Sequence, residues 1–184
     1  PMIENGSALS VMGNHEYNAI AYYTENGKGG HFREHNEKNI KQHKAFLKAY
    51  KDRPEEYKSV IDWFKTLPFW LDLEGLRVIH ACWDIDLIKK LGKSLEDGVL
   101  KKSSDKRTVE FRAIETLLKG KEIPLPKGQF FYDKDDNPRN HIRIKFWDTG
   151  AKTYKELFIG PKDALKFIPD LPLEANYTVP YPTD

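Results

Sequence analysis

Ala8-Leu9-Ser10-Val11-Met12 is a short, mostly apolar run closed by Gly13-Asn14, the pattern of a buried strand feeding a loop. Residues from Glu16 to Thr24 follow as a helix start, and Glu25-Asn26-Gly27-Lys28-Gly29-Gly30 ends it, because several glycines in a row do not sustain a helix. Ile40, Phe46, Leu47 and Tyr50 recur at near-helical spacing over Asn39 to Lys51. Pro54 opens a second helix through Tyr57, Val60, Ile61, Phe64 and Leu67, and the two are expected to pack as a hairpin on a core. Phe69 to Leu73 and Leu76 to Ala81 read as two strands joined by a tight turn at Glu74-Gly75, the second nearly all apolar and therefore buried, with His80 at its end.

Beyond that hairpin the pattern predicts a short helix over Asp84 to Leu91. Another runs from about Lys106 to Lys119, capped by Ser103-Ser104-Asp105 and ended by Gly120. Gln129 to Tyr132, a turn over Asp133 to Pro138, and His141 to Trp147 are expected to pair as a hairpin spanning about 129–147. From 168 to 184 four prolines and little periodicity predict an extended surface segment. Trp63, Phe64, Phe69 and Trp70 flank Pro68 and are expected to pack the core rather than stack on bases.

Composition narrows the class. With 184 residues, 39% of them hydrophobic, the chain suits one domain with a sizeable core. Thirty basic residues against 28 acidic give a formal charge of +2, too little for a field drawing nucleic acid or an acidic membrane to the whole chain. Any basic site must be local. Cys82 is the single cysteine and has no internal disulfide partner, and no apolar run approaches the roughly 20 residues that span a bilayer. The opening Pro1-Met2-Ile3-Glu4-Asn5-Gly6 has neither a basic n-region nor an apolar h-region and reads as the inside of an element. A soluble cytoplasmic protein is expected.

Two motifs carry chemistry. Gly13-Asn14-His15-Glu16 follows an apolar run, where glycine permits a tight exit and the polar side chains project from the expected sheet edge. Arg77-Val78-Ile79-His80-Ala81-Cys82-Trp83-Asp84 ends an apolar strand on a histidine. In this order the pair resembles the third and fourth motifs of the calcineurin-like metallophosphoesterases, in particular the bacterial branch close to protein serine/threonine phosphatases and symmetrical diadenosine tetraphosphate hydrolases.

The resemblance implies an α/β fold, a two-sheet sandwich flanked by helices, with the site at the strands' carboxyl ends. It implies hydrolysis of a phosphoester by metal-activated water at two divalent ions, manganese first, with iron, zinc, nickel or cobalt as alternatives. Asn14 and His80 would be metal ligands, and His15 would protonate the leaving alkoxide or hydrogen-bond the phosphate. The family's Asp-x-His and Gly-Asp-x-x-Asp-Arg motifs are not found before Gly13, and no histidine follows His141 for a closing Gly-His-x-His-like motif. The chain is therefore expected to be a single partial domain over 1–184, the middle of a longer parent. Alone it is expected to bind no dinuclear centre, to be inactive, and to self-associate through a bare sheet edge beside Ala8 to Met12.

Substrate would be a phosphorylated small molecule, a nucleotide or a phosphoprotein. An insert over about 23–67 and the hairpin over about 129–147 would wall a pocket, which favours a small phosphate or dinucleoside polyphosphate over a phosphoprotein. Arg33, His35 and Lys38 in the insert, and Arg143 and Lys145 on one strand face, are candidate phosphate contacts. Their plainer reading is a solvated surface. His31 and His35 stand at zinc-ligand spacing, but the preceding glycines favour a solvated polar segment. Asp84 reads as a helix cap before it reads as an acceptor orienting His80. A Cys82 nucleophile lacks an orienting partner. A non-catalytic binding or assembly module is the alternative from another class.

Overall fold

The computed structural model describes residues 2–96, 98–133 and 136–174. Helices dominate it, joined by three separate two-stranded antiparallel sheets. Element order is α1 (Asn14–Tyr23), α2 (Glu37–Tyr50), α3 (Pro54–Thr66), β1 (Trp70–Leu73), β2 (Leu76–Ile79), α4 (Ile85–Leu91), α5 (Val99–Ser103) and α6 (Val109–Lys119). Then follow β3 (Glu122–Pro124), β4 (Phe131–Tyr132), β5 (Pro138–Arg139), β6 (His141–Arg143), α7 (Tyr154–Leu157) and α8 (Lys162–Leu165).

One apolar cluster joins α1, α3, α4 and α6 through buried Met12, Ile20, Ile61, Phe69, Ile114 and Leu117. Ile20, Ile61, Phe69 and Leu117 are wholly withdrawn from water, so each contributes the full transfer term of a large side chain, about 1.5–3 kcal/mol. A second, smaller cluster gathers Ile123, Ile142, Ile144, Leu157 and Phe158 beneath β3 and β6. On those strands alternation turns Ile123 and Ile142 inward and leaves Glu122, His141 and Arg143 in solvent.

Local chemistry sets the boundaries. Asn36 caps α2 by accepting from the Asn39 N–H at 3.0 Å, Pro54 occupies the first position of α3, and Gly120, at φ +101°, closes α6. The helix expected from Lys106 starts later, at Val109. Thr108 accepts from the Phe111 N–H at 3.1 Å and is its cap, while Asp105 is drawn into a turn by Arg107, whose guanidinium holds the Asp105 carboxyl down to about 2. Ser103, expected in the cap, instead ends α5 and hydrogen-bonds the buried Tyr17 hydroxyl.

Three further expectations are corrected. Ala8 to Met12 joins no sheet: Met12 donates to the Pro68 carbonyl at 2.7 Å, and Leu9 is 65% exposed. One backbone bond is too little to make a ladder, and the apolar run is anchored by Met12 alone. β1 and β2 do pair, with Trp70 opposite Ile79 and Leu73 opposite Leu76, but β2 is an edge with Leu76 in solvent, not a buried strand. The hairpin expected over 129–147 is split: Phe131 and Tyr132 pair with Arg139 and Pro138, while His141 to Arg143 pairs with Pro124 to Glu122.

Of the four aromatics around Pro68, Phe69 and Trp70 are buried and Phe64 packs partly, whereas Trp63 stands in solvent. Pro172 bridges to Thr153, so the start of the proline-rich segment lies along the body, and residues 175–184 fall outside the described residues. Among the described residues no helix is long and apolar enough to cross a membrane.

Candidate functional site

Gly13-Asn14-His15-Glu16 is the first turn of a helix and not a loop beyond a strand. Gly13 is the N-cap, and the Glu16 carboxylate reaches back to accept from the Gly13 N–H at 3.0 Å, satisfying a donor the helix itself leaves open. The negative carboxylate sits where the helix dipole favours it. Asn14 then opens α1, and its side chain meets His80.

His80 arrives from the other side. It follows β2 directly, and the next two residues are fastened to α6, Ala81 and Cys82 both donating to the Leu117 carbonyl, at 3.1 and 3.4 Å. His80 Nε2 lies 3.1 Å from Asn14 Oδ1. A Cβ on Gly13 would stand 3.0 Å from both Cε1 and Nδ1 of His80 and 2.6 Å from Glu16 Oε2, so the missing side chain is what admits the imidazole. Gly13→Ala is accordingly expected to displace the Glu16 carboxylate and the His80 ring together. The expected cost is about 1 kcal/mol of stability, read by denaturant titration, with a change in the His80 ring shifts read by NMR.

Neighbouring groups are already committed. Asp84 caps α4 through the Leu87 N–H at 3.2 Å and pairs with Lys121 at 3.1 Å, which is the cap expected of it. Cys82 is fully buried, and burial pushes its thiol up to about 12, so it stays protonated and unreactive near neutrality.

Asn14 opens onto a cavity of about 900 Å³ between α1, α2 and α6 on one side and β3, β5 and β6 on the other. Its lining carries seven lysines and arginines against two glutamates, in a chain whose whole formal charge is +2. The excess is therefore local. Arg33 is held by neutral oxygens, Asn18 Oδ1 at 3.0 Å and Gln42 Oε1 at 2.7 Å, which fix the guanidinium without cancelling its charge. Glu122 is shared between Arg139 at 3.7 Å and Arg143 at 3.8 Å, one carboxylate for two cations. A fixed, under-neutralised set of this kind can pair with an anion.

Asn14, Arg33, Lys38 and Arg143 all line this cavity, and His80 adjoins it through Asn14. His35 and Lys145 do not line it. His35 accepts from or donates to nothing in the cavity: its Nε2 meets the Tyr22 carbonyl at 2.8 Å, and its ring stacks between Tyr22 and His31 at 3.8 and 4.0 Å. Lys145 donates to the Glu156 carbonyl at 2.7 Å. His15 is exposed in the first turn of α1, outside the cavity lining and close enough to His43 to act on its charge.

Asn18, Gln42, Arg112 and Arg139 were missed in the sequence. Helical spacing held a usable signal for one of them, since Asn18 lies one turn after Asn14, but nothing local announces that Arg112 on α6 and Arg139 on β5 face the same space.

His43 Nε2 is buried with no hydrogen-bond partner. Burial first, then the positive Arg33, then His15, hold its imidazole below the ordinary value of 6.5. The unfolded chain therefore takes up this proton before the folded one as pH falls. Its contribution to stability is complete above about 6.5 and is lost progressively below that value. Melting temperatures from pH 7.5 to 5.5 are expected to fall less steeply in His43→Gln than in the wild type.

As metal ligands Asn14 and His80 are a neutral oxygen and a neutral nitrogen close enough to share one ion, which fits two positions of a coordination shell. Among the described residues no group of three or more His, Cys, Asp and Glu could hold a metal by itself, so the pair fits only as part of a larger set. No family model matches the chain, and no curated protein or solved structure matches it either.

Proposed function

We propose that the parent of this chain is a metal-dependent phosphoesterase, with the Asn14–His80 pair contributing two ligands and the adjoining cationic cavity holding the substrate's phosphate. The observation that carries this reading is the 3.1 Å approach of His80 Nε2 to Asn14 Oδ1, with Asn14 itself lining a basic cavity. Two motifs separated by 66 positions meet there, in the order the resemblance requires. A two-sheet metallophosphoesterase sandwich, a cytoplasmic location and a small phosphate in preference to a phosphoprotein belong to the same reading.

When bound, a pair of divalent ions, manganese first among them, supplies Lewis acidity and an activated water. Arg33, Lys38 and Arg143 bind the phosphate and offset charge as it develops on the phosphoryl oxygens. Asn14 and His80 fix one end of the site, with the His80 ring seated against the Gly13 backbone. His15, exposed in the first turn of α1, would give a proton to the leaving alkoxide, the role the resemblance implies for it.

The test is p-nitrophenyl phosphate hydrolysis by the parent protein with added Mn²⁺, alongside elemental analysis. Turnover abolished by EDTA and restored by Mn²⁺ is expected. No turnover with Mn²⁺, Fe²⁺, Zn²⁺, Ni²⁺ or Co²⁺, and no retained metal, would leave the rival reading, a non-catalytic binding or assembly module. The absence of a self-sufficient ligand group among the described residues is what favours that rival.

A further inference from the structure

We propose that the cationic cavity continues into an aromatic compartment that takes the base of a nucleotide, so that the favoured substrate is a nucleoside phosphate rather than a bare or alkyl phosphate. This rests on the phosphate-binding reading of the first cavity and names what is attached to the phosphate.

A second cavity, of about 700 Å³, adjoins the first and shares Glu122, Arg139 and Arg143 with it. The size is that of a ligand pocket. Its character differs: Phe131, Tyr132, Phe158 and Phe167 supply four rings to its wall. Phe131 and Phe158 meet edge to face, with centroids 6.3 Å apart. Phe158 is held from behind by Gly160, where a Cβ would stand 2.4 Å from the ring's Cζ, so this part of the wall is fixed.

Tyr132 and Phe167 are 54% and 56% exposed and keep ring surface for a ligand, although Phe130 meets Tyr132 edge to face at 5.6 Å and Lys166 Nζ stands 4.9 Å from the Phe167 centroid. Large aromatics left in water beside a cavity are costly as surface and useful as stacking platforms, since every base presents a π-face. Asp163 also lines the compartment, and a carboxylate there accepts a hydrogen bond from the exocyclic amino group of a base, whereas the Asp133 carboxylate is taken up by Asn137. The two shared arginines stand where the compartments meet, so the phosphates point toward Asn14 and the base away from it.

The experiment is calorimetric titration of the parent protein in EDTA with ADP, pyrophosphate and O-phosphotyrosine. Removing metal separates this proposal from the catalytic one: ADP binding without any phosphoesterase activity would sink the hydrolase reading alone. ADP is expected to bind about tenfold or more tightly than pyrophosphate. Tyr132→Ala and Phe167→Ala, at exposed positions where folding is not at stake, are each expected to weaken ADP by about fivefold or more and to leave pyrophosphate unchanged. Arg143→Gln is expected to weaken both ligands. ADP binding no tighter than pyrophosphate, ADP affinity unmoved by both aromatic variants, or phosphotyrosine binding as tightly as ADP would each overturn the proposal.

Discussion

If His80 is a metal ligand as proposed, His80→Ala is expected to lower metal affinity by more than about 100-fold, since even the partners that merely orient metal ligands are worth about 10–100-fold. Phosphoesterase rate should fall with it. The groups near the ring are committed elsewhere: Glu16 accepts from the Gly13 N–H, Asp84 is engaged by Leu87 and Lys121, and Cys82 is buried and protonated. His15→Ala is expected to behave differently. A proton donor to the leaving group is worth about 10²–10⁴ in rate and nothing in metal affinity. Elemental analysis beside steady-state rates separates the two. Equal metal occupancy in wild type and His80→Ala would remove His80 from the ligands, and equal rates in wild type and His15→Ala would remove His15 from the chemistry.

Phe69→Ala is expected to cost about 3–5 kcal/mol, a large part of the roughly 5–15 kcal/mol that holds a domain folded. Phe69 has no exposed surface and lies in the apolar cluster that joins α1, α3, α4 and α6, with the Tyr17 ring 6.5 Å away. Its N–H donates to the Lys93 carbonyl at 2.8 Å, so the backbone stays tethered and cannot collapse into the space the ring vacates. Trp63→Ala, six positions earlier, should cost far less, because Trp63 is 40% exposed. Denaturant melts of the two variants check the contrast. Similar losses would mean that the cluster is not the centre of stability.

What the sequence made legible was local. Helices α2 and α3 follow from the spacing of Phe46 and Tyr50, and of Tyr57, Ile61 and Phe64, with Pro54 marking a start that no other residue type marks so clearly. The turn at Gly75, φ +72°, and the exit of α6 at Gly120 follow from glycine's tolerance of the left-handed region. Strand burial was not legible. Leu76 and Val78 on β2 have the composition of a core strand, but only the packing partners decide whether such a strand is covered. Pairing over 122–143 failed for the same reason: β6 had two candidate partners, and Glu122 to Pro124 carries no strand signal of its own.

The candidate site divides along the same line. Asn14 and His80 could be picked out because their motifs are compact and ordered, and the structure brings their side chains together. The meaning of Glu16 needed the structure, since a capping box on glycine is recognised only when the carboxylate is seen on the Gly13 N–H. Arg33, Lys38 and Arg143 were singled out as basic residues in plausible segments, yet so were His35 and Lys145, and nothing local distinguishes the two groups. The difference is tertiary: His35 is stacked in an aromatic pile and Lys145 is spent on the Glu156 carbonyl, while the other three face one cavity.

Asn14 and His80 are proposed to lie against a bound divalent ion, and NMR of the protein during Mn²⁺ titration tests this most directly. Paramagnetic broadening is expected first at the His80 ring and the Asn14 side-chain amide, at substoichiometric Mn²⁺, with the His31 and His35 rings spared. Broadening that begins at exposed carboxylates such as Asp62 or Asp105 and reaches the Asn14 and His80 signals last, or never, would contradict the claim.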